Sequence, residues 1–159
     1  MYEAVHAYPD GEATAARHAA TAARHGYDGI VVRSRDALAA AGEGGGSVDD
    51  GADSDWTDRE ESPARDPDAL AEEYGVDVVD AVEIDAGDPT SASGGVGNYR
   101  SDRTVVCVVG GDDALNRFAV EQPRVDVLVR PMAGGGDVNH VLAKAARDNG
   151  VHVEFDFGP

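Results

Sequence analysis

Lysine is almost missing from this sequence. Lysine and arginine together number 13, and Lys144 is the only lysine among them. Cysteine is equally scarce. Cys107 stands alone, which excludes an intrachain disulfide and a cysteine-based zinc site. It lies inside the apolar run Thr104–Val109, where a buried, inert thiol is expected. Aromatic residues are 6% of the chain, so any core must be built largely from Ala, Val, Leu and Ile. No run approaches the ~18 consecutive apolar residues that a membrane-spanning helix needs. The opening Met1-Tyr2-Glu3-Ala4-Val5-His6 has neither the basic nor the apolar region of a signal peptide. These absences lead to the expectation of a soluble, cytoplasmic protein.

Carboxylates are what the chain has in abundance. Asp and Glu number 31, and the formal net charge is -18. Dense carboxylates, arginine in place of lysine and small apolar side chains suit a cytoplasm of very high salt, where a hydrated acidic surface stays soluble. The expected source is a halophile. A length of 159 residues allows one ordinary domain with a real core.

Periodicity divides the chain into alternating elements. Strands are expected at Tyr2–His6, Asp28–Arg33, Asp77–Ile84, Thr104–Val109, Val125–Val129 and Val151–Phe155. Helices are expected at Glu12–His25, Pro67–Tyr74, Asp112–Glu121 and Asp137–Asn149, the first closed by Gly26. In the last helix, Val138, Val141, Leu142, Ala145 and Ala146 fall on one face. Its other flank carries His140, Lys144 and Arg147. Strands alternating with helices indicate a parallel α/β sheet or barrel of about six strands.

Two segments interrupt this rhythm. Residues 36–73 hold 13 acidic and 2 basic residues. Within them Gly42–Asp58 has too little apolar surface to order itself, so 36–66 is expected to be a disordered acidic insertion within a single domain spanning 1–159. The second segment, Asp85–Asp102, is rich in Ser and Gly and is expected to be a long functional loop. It ends in Asn98-Tyr99-Arg100, with Arg103 just beyond. From Gly97 to His152 the chain is locally neutral, with 7 acidic and 7 basic residues, so an anionic partner is not excluded there.

Several chemistries could draw on these residues. Gly94-Gly95-Val96-Gly97 lacks the Gly-Lys-Ser/Thr ending of a phosphate-binding loop, and Gly110-Gly111-Asp112-Asp113 fits a strand-to-helix turn with an Asp cap. Metal-assisted hydrolysis would draw on His6, Glu83, Asp85, Arg130 and Asp156, which follow or end strands and would surround one mouth of a barrel. A catalytic metal needs about three protein ligands, and His6 is the one imidazole suited to that mouth. A nucleic-acid reading rests on Tyr99, Arg100, Arg103, Arg130, Lys144 and Arg147. Arginine binds phosphate through paired hydrogen bonds, and tyrosine stacks on unpaired bases. The competing reading pairs these side chains with neighbouring carboxylates such as Asp102 and Asp148. Residue chemistry alone leaves both standing.

The order of motifs carries a resemblance. "YEAVHAYPDG", "GYDGIVVRSRD", "VEIDAGDP…GNYRSDRTVVCVVGGDDALNRFAVE", "RVDVLVRPM" and "VNHVLAKAARDNGVHVEFDFGP" resemble the archaeal ribonuclease P protein component 3 family, in its haloarchaeal branch. That resemblance implies a TIM-barrel-like fold related to the polymerase/histidinol-phosphatase group. It implies a non-catalytic subunit of an RNA-based endoribonuclease that removes 5′ leaders from precursor tRNA. The RNA would do the chemistry with magnesium, and no cofactor would be bound by this chain. The implied partners are the ribonuclease P RNA and other protein subunits, one as a direct partner. Precursor tRNA would be an indirect partner, and no membrane is implied. The phosphatase relatives carry a His-x-His pair after the first strand, whereas this sequence reads His6-Ala7-Tyr8, in keeping with lost metal chemistry. A metal-dependent phosphoesterase and a purely structural protein-binding module are the alternatives. The family pattern continues past "FDFGP", so the expectation is an incomplete barrel with an exposed edge, or a shortened reading frame. No catalytic or metal-binding residue is assigned. Tyr99, Arg100, Arg103, Arg130, Lys144 and Arg147 are the candidate RNA- or partner-binding residues.

Overall fold

Strands and helices alternate along the chain in a computed structural model that describes residues 1–38 and 65–156. The strands are β1 (Tyr2–Val5), β2 (Gly29–Val32), β3 (Asp77–Ile84), β4 (Val105–Val109), β5 (Val127–Val129) and β6 (His152–Glu154). The helices are α1 (Ala15–His25), α2 (Pro67–Tyr74), α3 (Pro89–Tyr99), α4 (Asp113–Glu121) and α5 (His140–Asn149). The chain divides into two compact units, Met1–Val79 and Asp80–Pro159. Most of the acidic stretch 36–66 lies outside the described residues. Its two described ends meet where Leu38 and Arg65 form an isolated parallel bridge.

In the first unit β1 and β2 pair in parallel, from Tyr2 opposite Gly29 to Val5 opposite Val32. Helix α1 begins at Thr14, whose hydroxyl accepts the Arg17 N–H, and ends at Gly26 with φ of 75°. Its alanine face, Ala15, Ala19 and Ala22, packs into one core with Ile30, Val32, Leu70 and Val76. Small side chains let the helix lie close to the strands.

The second unit is a run of parallel pairs. Ala81–Ile84 of β3 pairs with Val105–Val108 of β4. β4 pairs with β5 from Cys107 opposite Val127, and β5 with β6 from Val127 opposite His152. Val82, Val106, Val108 and Leu128 are fully buried, and α3, α4 and α5 cover them through Val96, Leu115, Val120, Leu142 and Ala146. Cys107 is buried as expected. The Gly110–Asp113 turn also has its expected form: Asp112 caps α4 by accepting the Leu115 N–H, and Gly111 sits at φ of 119°.

Two expectations are corrected. The segment Asp85–Asp102 is not a long loop, because Pro89–Tyr99 is helical. Asp88 supplies the cap, its carboxylate accepting the Thr90 and Ser91 N–H groups, and Pro89 occupies the first turn, where its missing N–H is harmless. Glycine weakens a helix but also thins it. A Cβ on Gly95 would lie 2.9 Å from Cγ2 of Ile84, so α3 rests directly on β3. Packing outweighs poor propensity here. Val141 is the second correction. It shares the apolar periodicity of α5, yet it is 63% exposed while Leu142 and Ala146 are buried.

Candidate functional site

Parallel pairing puts all strand starts of the second unit at one end and all strand finishes at the other. Tyr99, Arg100 and Arg103 therefore gather at the starting end, just before β4. Arg130 follows β5 at the opposite end. Lys144 and Arg147 lie along α5, which runs back from the second end to the first. The six candidate residues do not converge on one site. They form a half-buried cluster, a loop residue and an exposed helical flank.

Arg100 is the centre of the cluster. It caps the C-terminus of α3, and its guanidinium Nη2 donates to the backbone carbonyls of Arg103 (2.9 Å) and Thr104 (2.8 Å). Nη1 donates to the carbonyl of Arg124 (3.2 Å) and to Asp126 Oδ2 (2.6 Å). The same Asp126 oxygen accepts the Val106 N–H at 2.8 Å. One ion pair thus fixes the end of α3, the entry to β4 and the turn before β5. Arg103 lies 3.3 Å from Asp80 through Nε and sits 5.8 Å from the centre of the Tyr99 ring. Burial pushes the Asp80 carboxyl above its ordinary value, and the Arg103 guanidinium only partly offsets this. Tyr99 packs its ring against the core of the unit.

At the other end Arg130 has φ of 51°, a left-handed conformation uncommon for a residue with a side chain. Its N–H donates to the Glu154 carbonyl at 3.1 Å, and its Nη2 lies 3.4 Å from Glu83 Oε1. The loop beyond it is held by Asn116, a fully buried amide. Its Oδ1 accepts the Gly111 N–H (3.0 Å) and its Nδ2 donates to the Pro131 carbonyl (2.8 Å). Asn116, Asp80 and Asp126 are positioning residues that the sequence reading did not single out.

On α5 the cationic heads face outward. The Lys144 and Arg147 side chains are 68% and 76% exposed, and both reach Asp148, at 2.6 Å and 3.3 Å. Their hydrogen bonds hold the Asp148 carboxyl below its usual range, and the Lys144 ammonium is correspondingly raised. Such exposed pairs are worth little and exchange readily with solvent. Of the metal-ligand candidates, Glu83 pairs with Arg130, and His6 follows β1 as an exposed residue. Among the described residues no group of three or more His, Cys, Asp or Glu is placed to hold a metal ion. Nor is any helix among them long and apolar enough to cross a membrane.

A family model described as RNase P subunit p30 matches residues 1–159. Ribonuclease P protein component 3 of Halorubrum lacusprofundi is 70% identical over 159 residues, which are 100% of this chain and 59% of that protein. The protein of the same name from Haloarcula marismortui is 57% identical, again over the whole chain and 58% of its own length. A chain in the cryo-EM structure of archaeal Ribonuclease P with mature tRNA superposes with a TM-score of 0.61 at 21% identity, covering 96% of this chain and 56% of that one. This last likeness shows the fold, the parallel βα repeat expected from the sequence. The chain spans a little over half the length of the curated relatives it matches.

Proposed function

Because the chain belongs to the RNase P subunit p30 family, we propose that it acts as a protein subunit of ribonuclease P. In this role it supports the catalytic RNA as 5′ leaders are removed from precursor tRNA. The observation that carries the reading is the family match along all of residues 1–159, with a 70% identical haloarchaeal relative named for that particle. Magnesium belongs to the RNA of the complex in this reading, and the chain binds and positions without cleaving. Its partners are the ribonuclease P RNA and other protein subunits, one of them in direct contact, while precursor tRNA is met through the assembled particle.

The geometry supports a division of labour among the six candidate residues. Arg100 and Arg103 shape the surface around Tyr99 through bonds within the chain. Arg130, Lys144 and Arg147 present the more exposed cationic heads, and these are the proposed contacts to RNA phosphates or to a partner. In multimolar salt the Debye length falls to ~3 Å or below, so contact depends on such short-range hydrogen bonds and not on the net charge of -18.

The test is co-purification. A tagged copy of the chain in haloarchaeal cells is expected to enrich the ribonuclease P RNA, and Lys144→Glu with Arg147→Glu to reduce that enrichment. Recovery of the RNA no better than with an unrelated acidic haloarchaeal protein would overturn the reading.

A further inference from the structure

Among the described residues, Arg124 is the one arginine whose side chain has neither an ion pair nor a hydrogen bond within the chain. In a sequence with 31 acidic residues, that exception calls for a reason. Arg124 is exposed and lies in the turn 122–126 between α4 and β5, at the starting end of the strands of the second unit. It is not one of the six residues singled out from the sequence.

The acceptors next to it in the chain are already taken. Asp126, two residues on, holds Arg100 at 2.6 Å and the Val106 N–H at 2.8 Å. Glu121, three residues before, holds Arg117 at 2.8 Å. The carbonyls that end α4 are engaged too: Ala119 accepts the Gln122 N–H (3.4 Å), and Val120 accepts Asn149 Nδ2 (2.9 Å). Gln122 in turn accepts the Val125 N–H at 3.1 Å. The backbone at Arg124 is held in place, because its carbonyl accepts Arg100 Nη1 at 3.2 Å and Val125 just beyond is buried. The result is a guanidinium on a fixed turn with all its donors unspent.

We propose that Arg124 is a contact to a backbone phosphate of the particle's RNA. The proposal rests on the ribonuclease P reading and gives it a binding residue at the starting end of β5. Screening at multimolar salt confines attraction to groups in contact, so what already touches each cation decides which one a phosphate prefers. A phosphate reaching Lys144 or Arg147 also meets Asp148, and one reaching Arg130 meets Glu83. At Arg124 no carboxylate has to be displaced, and the planar guanidinium can give two parallel hydrogen bonds to one phosphate. An RNA strand presents such oxygens at every nucleotide, and contacts of this kind fix position on the backbone without reading bases. A protein would need a single carboxylate placed opposite Arg124, so RNA is the occupant the turn fits better.

The experiment combines the chain with the ribonuclease P RNA and the remaining protein subunits of Halorubrum lacusprofundi in multimolar KCl with magnesium. Affinity of the chain for the rest of the particle is read by fluorescence anisotropy. Arg124→Ala is expected to weaken binding about ten- to a hundredfold. Its melting temperature should match wild type, because the side chain holds nothing within the chain. Arg124→Lys should recover part of the loss, keeping the charge without the fork. Arg117→Ala, exposed on α4 and already matched to Glu121, should bind as wild type does. The slope of log affinity against log KCl should become shallower by about 0.7–0.9 in Arg124→Ala, the share of one phosphate. A photoreactive amino acid at position 124 should crosslink to RNA. Full binding by Arg124→Ala would overturn the proposal, and so would an unchanged slope or a crosslink to protein alone; each of these leaves the proposed function intact. A wild-type chain that does not join the particle would remove both.

Discussion

Both terminal nitrogens of Arg100 are engaged within the chain, on three backbone carbonyls and the Asp126 carboxylate. The residue reads in sequence as an outward-facing loop cation, because the carbonyl of Arg124 and the side chain of Asp126 lie far along the chain and nothing local announces them. Arg100→Ala should therefore destabilise the protein by about 2–4 kcal/mol, from lost charged hydrogen bonds and a carboxylate left without its cation. Arg100→Lys should recover only part of this, since an ammonium cannot span the same acceptors. Denaturant titration of the three proteins checks the order. Lys144 and Arg147 were legible from helical spacing alone, because their exposed positions depend only on which face of α5 is buried. Asp88 gives a prediction in pH. Hydrogen bonds from Ser91 and Thr90 hold its carboxyl below the ordinary carboxylate range. The stabilisation is thus full above the unfolded value of about 3.9 and is lost as pH falls through the lower folded value. Asp88→Ala should lower the melting temperature near pH 7, and the gap to wild type should narrow as the pH falls below the ordinary carboxylate range.

At the scale of elements, strands and helices with strong apolar periodicity were readable to within a few residues. β3 and α2 have the expected bounds, and α5 starts at His140 because Asn139, not Asp137, supplies its cap. Helix α3 was hidden by its composition. Its sequence PTSASGGVGNY has almost no apolar stripe beyond Ala92 and Val96, and Ser and Gly favour loops. The signal that could have found it is Asp88-Pro89, a cap residue followed by proline in the first turn. Gly95 marks how closely this helix lies on β3. Gly95→Val should clash with Ile84 and cost about 1–3 kcal/mol by overpacking, despite valine's better helix propensity. Thermal melts measure it, and a neutral or stabilising outcome would mean that α3 can lift from the strand at little cost.

For the molecule as a whole, charge and the alternation of elements told most. The acidic composition expected of a halophilic archaeon agrees with the haloarchaeal relatives, and the βα order agrees with the fold. Sequence could not show that the candidate cations separate into two ends and a flank, because that follows from strand direction and helix placement. Repulsion among 31 carboxylates should loosen the protein when screening is withdrawn. Dialysis from multimolar to millimolar KCl is expected to lower the helical circular dichroism signal and the melting temperature. The central claim, membership of a working ribonuclease P, is tested most directly by reconstitution. The ribonuclease P RNA and the other protein subunits are assembled in multimolar KCl with magnesium, with and without this chain, and cleavage of precursor tRNA is timed. The account predicts faster removal of the 5′ leader when the chain is present, with the chain co-sedimenting in the particle. An unchanged rate, with the chain left outside the particle, would contradict it.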